Sequence, residues 1–455
     1  MPARACAQAP VAADATAEED KTSADAFFQR LFHFYKKDWS ETSASTQQPA
    51  RRLPLSPLDS PPFPSADWPY GGSPIIGAPD TNTYPLMEAI NGDTSRTKIY
   101  GWIEPGFNFT ASKRVVYPMS YNIYANQIEL DQAVIYLERL PDTVQTDHFD
   151  WGFHVTGFYG VDYRFTTSVG YFSQQLLKFN RQYGFDPVLE YIDLYFPQIA
   201  EGMNIRIGRY ISVPGIEAQL APANYSYTHS LLFTTDPFTQ SGALATIRLN
   251  KKWLLQAGIQ ASNDTAPWAD DAKPSLTACI SYTTPPINDN LYVCANGIND
   301  GHYGYNNVQH YDATWYHKFS ARTHIATEAW YMYEREVPNI TSALLEKPGA
   351  NPAFCLPSEL RCFAPEWAVT NYLERDFSKQ NYLSIRNEFL DDIKGQRTGF
   401  KTRYSEHEFM YGHWIGSTIV IRPGIRFERA YDTRAYNSGA RHNQLSFTTD
   451  LIFKF

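Results

Sequence analysis

The chain of 455 residues has no run of apolar residues near the roughly 18 that a membrane-crossing helix needs. Its mean hydropathy of −0.41 points the same way. A bundle of transmembrane helices is therefore excluded. Positive charge is also short: 39 Lys and Arg stand against 48 Asp and Glu, a net charge of −9. That balance speaks against a broad nucleic-acid surface. Cysteine is scarce, at 5, with no Cys-x-x-Cys pair, and there is no glycine-rich phosphate loop. Asn299-Asp300-Gly301 with His302 and His310, and Asp270-Asp271, have neither zinc nor EF-hand spacing and read as solvated loops. No cofactor is expected. His229-Ser230 with Asp236 offers the residue types of a hydrolase. Adjacent residues, however, do not readily set a hydroxyl against the neighbouring imidazole, and no Gly-x-Ser-x-Gly surrounds Ser230. A non-enzymatic role is expected, with lipid hydrolysis in a barrel as the rival chemistry.

What the chain has is aromatic side chains, 15% of residues, with 31 Tyr, 28 Phe and 10 Trp. Many aromatics at low hydropathy suit strands whose alternate residues are polar. The last stretch shows this directly. Leu445, Phe447, Thr449, Leu451, Phe453 and Phe455 share one face of an extended strand; Gln444, Ser446, Thr448, Asp450, Ile452 and Lys454 share the other. A transmembrane β-barrel strand needs this division, lipid outside and a polar interior.

From Thr97 the chain reads strand, break, strand, break. Candidate strands are 97–110, 126–140, 147–160, 189–197, 203–211, 243–250, 252–261, 275–284, 289–298, 309–319, 322–333, 366–372, 381–391, 403–415, 417–428 and 444–455, about sixteen in all. Strand 126–140 switches face near Gln132, which implies a bulge. Short breaks (Gln198 to Gly202, Pro285 to Asn288, Ser320-Ala321, Gly416) alternate with long ones (161–188, 212–242, 262–274, 334–365, 429–443). Outer-membrane barrels segregate short periplasmic turns from long outer loops. Both termini are thus expected in the periplasm.

Ahead of the barrel, 97–455, two segments are expected. Residues 1–40 carry a leader remnant, Ala-rich and polar over 1–22, and an amphipathic helix over 23–39. Ser23 is placed to cap that helix, and Phe27, Phe28, Leu31, Phe34 and Tyr35 form its stripe. The helix fits the periplasm, the membrane surface, a self-association site or the barrel mouth. Ala7-Gln8-Ala9 resembles a signal-peptidase site without an apolar region before it. Residues 41–96, rich in Pro and Gly with Trp68 and Tyr70, read as an extended segment at the periplasmic mouth.

Charges on a lipid face cost about 2–4 kcal/mol for Arg or Lys at mid-membrane. Arg206, Arg386, Glu388, Arg422 and Arg426 are therefore expected to face the lumen. The long break from Ser212 to Gly242, the third outer loop, is rich in Ile216, Leu220, Tyr225, Tyr227, Leu231, Leu232 and Phe233. Such a loop is expected to fold inward and narrow the pore, its Glu217 and Asp236 facing the wall arginines across the lumen and setting ion preference. Cys279 and Cys294 would face each other across a hairpin, and Cys355 and Cys362 share one predicted loop. The four are disulfide candidates, or four unrelated thiols.

YGGSPIIGAPDTNTYPLM (70–87), KIYGWIEPGFNF (98–109), RIGRYISVPGIEAQLAPANYSYTHSLLFTTDPFTQSG (206–242), HYDATWYHKF (310–319) and RNEFLDDIKGQRTGF (386–400) resemble the OmpL-like putative β-barrel porin family of bacterial outer membranes. The resemblance runs from about residue 60 to the end. It implies an outer-membrane porin with no defined substrate, and it brings no established catalytic or metal site to carry over. The expected function is passive diffusion of small hydrophilic solutes or ions. Expected partners are outer-membrane lipid, the barrel assembly machinery, with Phe455 as its C-terminal signal, and further copies in a homotrimer. A closed structural or adhesive barrel is the alternative.

Overall fold

A computed structural model describes residues 15–40, 76, 83–113, 115–118, 121–213, 215–284, 289–320, 322–341, 351–378 and 380–455. The strands are β1 (Thr97–Thr110), β2 (Ile128–Arg139), β3 (Asp150–Gly160), β4 (Gly184–Asp186), β5 (Glu190–Phe196), β6 (Met203–Ile211), β7 (Thr239–Arg248), β8 (Trp253–Asn263) and β9 (Pro274–Thr283). They continue as β10 (Asp289–Ile298), β11 (Gln309–Ser320), β12 (Thr323–Pro338), β13 (Arg361–Asp376), β14 (Asn381–Asp392), β15 (Thr402–Ile415), β16 (Ile419–Ile421), β17 (Gly424–Ala430) and β18 (Asn443–Lys454). Successive strands pair antiparallel, save that β4 does not pair with β5 nor β16 with β17, and β1 pairs with β18 to close a ring. β4 and β5 both pair with β3 and make one stave; β16 and β17 both pair with β15 and β18 and make another. Pro187 and Pro423 stand at these two breaks, where a residue without an N–H cannot continue the ladder. The result is a closed antiparallel barrel of sixteen staves. At the seam Gly101 and Phe455 exchange both backbone bonds, at 3.0 and 2.9 Å.

Burial alternates along each strand with period two, as in β14 and β18. Apolar and aromatic residues form the exposed set. Phe149, Trp151, Trp253, Phe319 and Phe377 stand out at one rim, consistent with an interfacial aromatic girdle. Charged and amide side chains form the buried, inward set. In β2, Glu104 pairs with Gln132 and Pro105 with Leu130, so Asp131 is the extra residue of a bulge and Asp131 and Gln132 both turn inward. The face switch therefore lies where the side-chain pattern placed it. Connections of 197–202, 249–252, 284–288, 321–322, 377–380 and 416–418 lie at one end. The longer 111–127, 161–183, 212–238, 299–308, 339–360 and 431–442 lie at the other. The difference is blurred at 140–149, as long as 264–273 and 299–308 opposite and longer than 393–401.

Several boundaries differ from the sequence reading. β12 and β13 extend to Pro338 and back to Arg361, so Cys362 sits on a strand rather than in the loop. Pro365, just ahead of the expected strand 366–372, pairs with Tyr333 inside the ladder. The first helix, α1, runs over Ala15–Ser40. Ser23 therefore lies inside it and is no cap; the Ala and Glu residues before it are strong helix formers. Of the Pro-rich segment, 41–75 and 77–82, with Trp68 and Tyr70, lie outside the described residues. Its end is helical: α2 spans Pro85–Asn91, with proline in the first turn and left-handed Gly92 at its C-cap. Tyr84 packs edge-on to the inward Tyr100, ring centroids 4.8 Å apart, which seats α2 at the short-turn end of the barrel.

Candidate functional site

The segment 212–238, joining β6 to β7, is shaped first by its own side chains. Asn224 braces it, accepting from Ala218 N at 2.7 Å and donating to Ala218 O. Ser230 caps a short helix, Leu231–Thr235, by accepting from Phe233 N. Its apolar residues then find apolar partners. Ile216 and Tyr225 cluster with Tyr316, Ala326 and Tyr372; Leu231 and Leu232 cluster with Trp330, Met332, Ala368 and Leu390. These partners are inward-facing residues of β11 to β14. The burial of so apolar a segment removes it from water.

Polar contacts fix its position. Three wall arginines each donate to its backbone carbonyls: Arg386 to Thr228 at 2.7 Å, Arg422 to Ala221 and Asn224 at 3.1 and 2.9 Å, and Arg426 to His229 at 2.6 Å. Acceptors on the wall take its N–H groups. Glu388 accepts from Leu231 N at 2.9 Å and also from Leu232 N; Glu328 accepts from Ile216 N at 2.7 Å. On the opposite wall Tyr227 donates to Asp131 at 2.8 Å, and Gln132 donates to Gln219 O at 2.7 Å. Gly106 makes room for this contact: a Cβ there would overlap both Asp131 and the Tyr227 hydroxyl.

Register explains why the arginines are charged yet buried. Arg386, Glu408, Arg426 and Ser446 are consecutive cross-strand partners on β14, β15, β17 and β18; Glu388, Glu406, Glu428 and Gln444 form the adjacent row. Three neighbouring glutamates would repel, but Arg386 and Arg426 in the row beside them offset part of that charge. Arg386 lies 3.0 Å from Glu406 and 3.3 Å from Glu408, and Arg426 3.0 Å from Glu428 and 3.6 Å from Glu406. Arg422 lies 3.2 Å from Glu104 and chelates Asp450.

Of the residues singled out in the sequence, Glu217, Arg386, Glu388, Arg422 and Arg426 come together around the segment. Glu217 does not look at Arg386 across a gap; the two touch at 3.1 Å. Removing two charges from water is costly without contact pairing, and this contact supplies it. Glu217 also accepts from Tyr372 and from the Ser230 hydroxyl. Asp236 is buried at the far end of the segment, and burial raises its carboxyl pKa well above the usual range. Among the described residues it meets none of the candidate arginines. Arg206 also stands apart. It is held by Asp193 on β5 at 3.0 Å and lies over the Tyr191 ring at 3.7 Å. All seven candidates are at most 5% exposed.

Sequence reasoning missed Glu406, Glu408, Glu428, Glu104, Asp131 and Asp450. Each lay on a recognised strand with the right parity; the missing signal was cross-strand register for Glu406, Glu408 and Glu428, and the closing of the ring and the bend of the segment for the others. His229 stacks on Tyr121 at 3.6 Å between centroids. Its Nε2 lies 2.8 Å from Ala218 O, and burial, seconded by the three arginines, drives its pKa well below 6.5. The Ser230 hydroxyl goes to Glu217 rather than to His229, so the residues of a hydrolase triad are not assembled. Cys279 is bonded to Cys294 on the inward face of paired β9 and β10, and Cys355 to Cys362 at the long-loop rim. Among the described residues, the one group near enough for a metal is Cys355, Glu359 and Cys362, and its two thiols are spent in that disulfide.

Residues 96–455 match the model of a family described as putative beta-barrel porin-2, OmpL-like. No curated protein sequence matches. Among solved structures, an anion-selective porin from Comamonas acidovorans superposes with a TM-score of 0.51 at 9% identity, over 79% of this chain and 99% of that one. The outer membrane channel DcaP of Acinetobacter baumannii gives 0.47 at 10%, over 79% and 97%. OmpT of Vibrio cholerae in its trimer form gives 0.47 at 9%, over 79% and 99%. At such identities the likeness concerns the barrel fold alone.

Proposed function

Since the chain belongs to the OmpL-like putative β-barrel porin-2 family, and so to the outer-membrane porin-like barrels, we propose that it is a non-enzymatic diffusion porin for small hydrophilic solutes or ions. The segment 212–238 sets its size and charge limits. The observation that carries this reading is the triple arginine hold on the segment's carbonyls. A barrel that only filled its interior for stability has little use for a set of buried charges around one loop, because apolar packing is as stable or better. Glu217, Asp236, Arg206, Arg386, Glu388, Arg422 and Arg426 line the constriction in this reading. Their near-complete burial means that hydrated solutes pass when the segment loosens from the wall. The chain termini and short turns face the periplasm, Phe455 serves the assembly machinery, and three copies associate.

The same burial favours a second reading, a barrel held shut. Swelling of liposomes carrying the purified protein separates the two. Passage of small sugars, falling with solute size, is expected of the porin. No swelling by the parent protein, with brisk swelling after the segment is shortened, means a closed barrel. No swelling by either protein refutes both the conduit and the segment's part in it.

A further inference from the structure

The helix α1 has three faces. Successive residues turn about 100° around an α-helix, so Phe28, Phe32 and Trp39 fall within about 40° of arc. All three are exposed, at 53%, 68% and 41%. Beside this stripe lies the docked face, and Trp39 stands on the border, its ring edge exposed and its indole nitrogen bonded to the barrel. Tyr35 donates to Lys454 O at 3.1 Å and packs on the Phe453 ring, Trp39 Nε1 donates to Thr418, and Asp38 accepts from Ser417 N at 2.9 Å and from both hydroxyls of Ser417 and Thr418. The third face carries Gln29, His33, Lys36 and Lys37, all exposed.

The attachments also fix the direction of α1. Arg30 donates to Ala89 O on α2, which sits below β1. Tyr35 holds the end of β18, and Asp38 and Trp39 hold the turn from β15 to β16. These follow one another around the ring, so α1 runs along the rim, parallel to the membrane plane rather than across it. Phe453, on which Tyr35 packs, belongs to the outward, lipid-facing set of β18. The exposed aromatic stripe is thus continuous with the barrel's lipid-facing band. No helix of the described residues is long and apolar enough to cross a membrane. A stripe of Phe and Trp, basic residues on the polar face and an in-plane axis are instead the marks of an interfacial helix.

We propose that α1 is a membrane-surface helix, its Phe28, Phe32 and Trp39 seated among the acyl chains of the phospholipid leaflet at the short-turn rim, with Lys36 and Lys37 at the headgroups. The inference takes from the proposed function only the barrel's insertion into a bilayer. Single cysteines at Phe32, at Lys37 on the opposite face, and at Phe409 on the barrel exterior, in a Cys6→Ser background, carry a bimane probe. The full chain is reconstituted in vesicles of phosphatidylethanolamine and brominated phosphatidylglycerol. Quenching at Phe32→Cys is expected to approach that at Phe409→Cys and to exceed that at Lys37→Cys at least threefold. Equal, weak quenching at 32 and 37 with strong quenching at 409 overturns the inference and leaves the barrel reading standing. So does a 32-to-32 disulfide formed between copies of the unlabelled Phe32→Cys protein under a mild oxidant, which assigns the stripe to a second copy. Failure of quenching at 409 removes both.

Discussion

Arg386→Ala tests the hold on the internal segment where it is most concentrated. In the parent this side chain serves Glu217 and Thr228 on the segment and Glu406, Glu408 and Tyr372 on the wall. It is fully buried. Removal leaves three carboxylates close together with no cation among them except Arg426 beside Glu406. Breaking a buried charge pair costs about 3–5 kcal/mol. If that cost falls on the held state alone, the loosened population rises by about two to three and a half powers of ten. Planar-bilayer recording reads this as a higher mean current with more frequent gating. Arg386→Lys keeps the charge without the five-donor fork and is expected to fall between the two. Gel mobility before and after heating checks that each variant is a folded barrel. Folded Arg386→Ala with the conductance, gating and ion preference of the parent would refute the argument that these contacts control passage.

Further outcomes follow from other parts of the structure. Reductant applied to the folded protein should open Cys355–Cys362, which is half-buried, well before Cys279–Cys294, which is buried; timed alkylation and mass spectrometry give the order. Gly106→Ala should displace Tyr227 from Asp131 and cost about 1–3 kcal/mol of stability, seen in urea unfolding monitored by tryptophan fluorescence. His229 should make the segment acid-sensitive. Its folded pKa lies below the unfolded value near 6.5, so its contribution is complete above pH 6.5 and lost as pH falls below it. The raised pKa of Asp236 works in the opposite sense. Recordings at pH 7 and 5 are expected to show acid loosening in the parent and less of it in His229→Gln; an equal response in both rules out His229 as the cause.

The barrel was legible because period two is a strong local signal. β14 was expected at 381–391 and spans Asn381–Asp392; the bulge of β2 was visible at Gln132 because a single extra residue inverts every side chain after it. Local rules failed where a neighbouring strand overrode them. Pro365 is tolerated inside a ladder because β12 holds it in place through flanking pairs on both sides. The site was legible only in part. Glu217 and the arginines announced themselves as charges in strands or in an apolar loop. Glu406 and Glu408 carry the same chemistry, but their meaning depends on which strand lies beside them and in what register. That Glu217 meets Arg386, while Arg206 is claimed by Asp193, is decided by where the segment bends, and no periodicity encodes it.

Arg422 holds together parts of the chain that begin far apart. Glu104 lies on the first strand, Asp450 on the last, and Ala221 on the inner segment. Glu104 and Asp450 become neighbours only after the cylinder shuts. An unfinished cylinder therefore leaves this arginine on Asp450 alone, without Glu104 from across the seam. Joining the first strand to the last thus completes the charge set around this arginine, so seam and interior share one side chain.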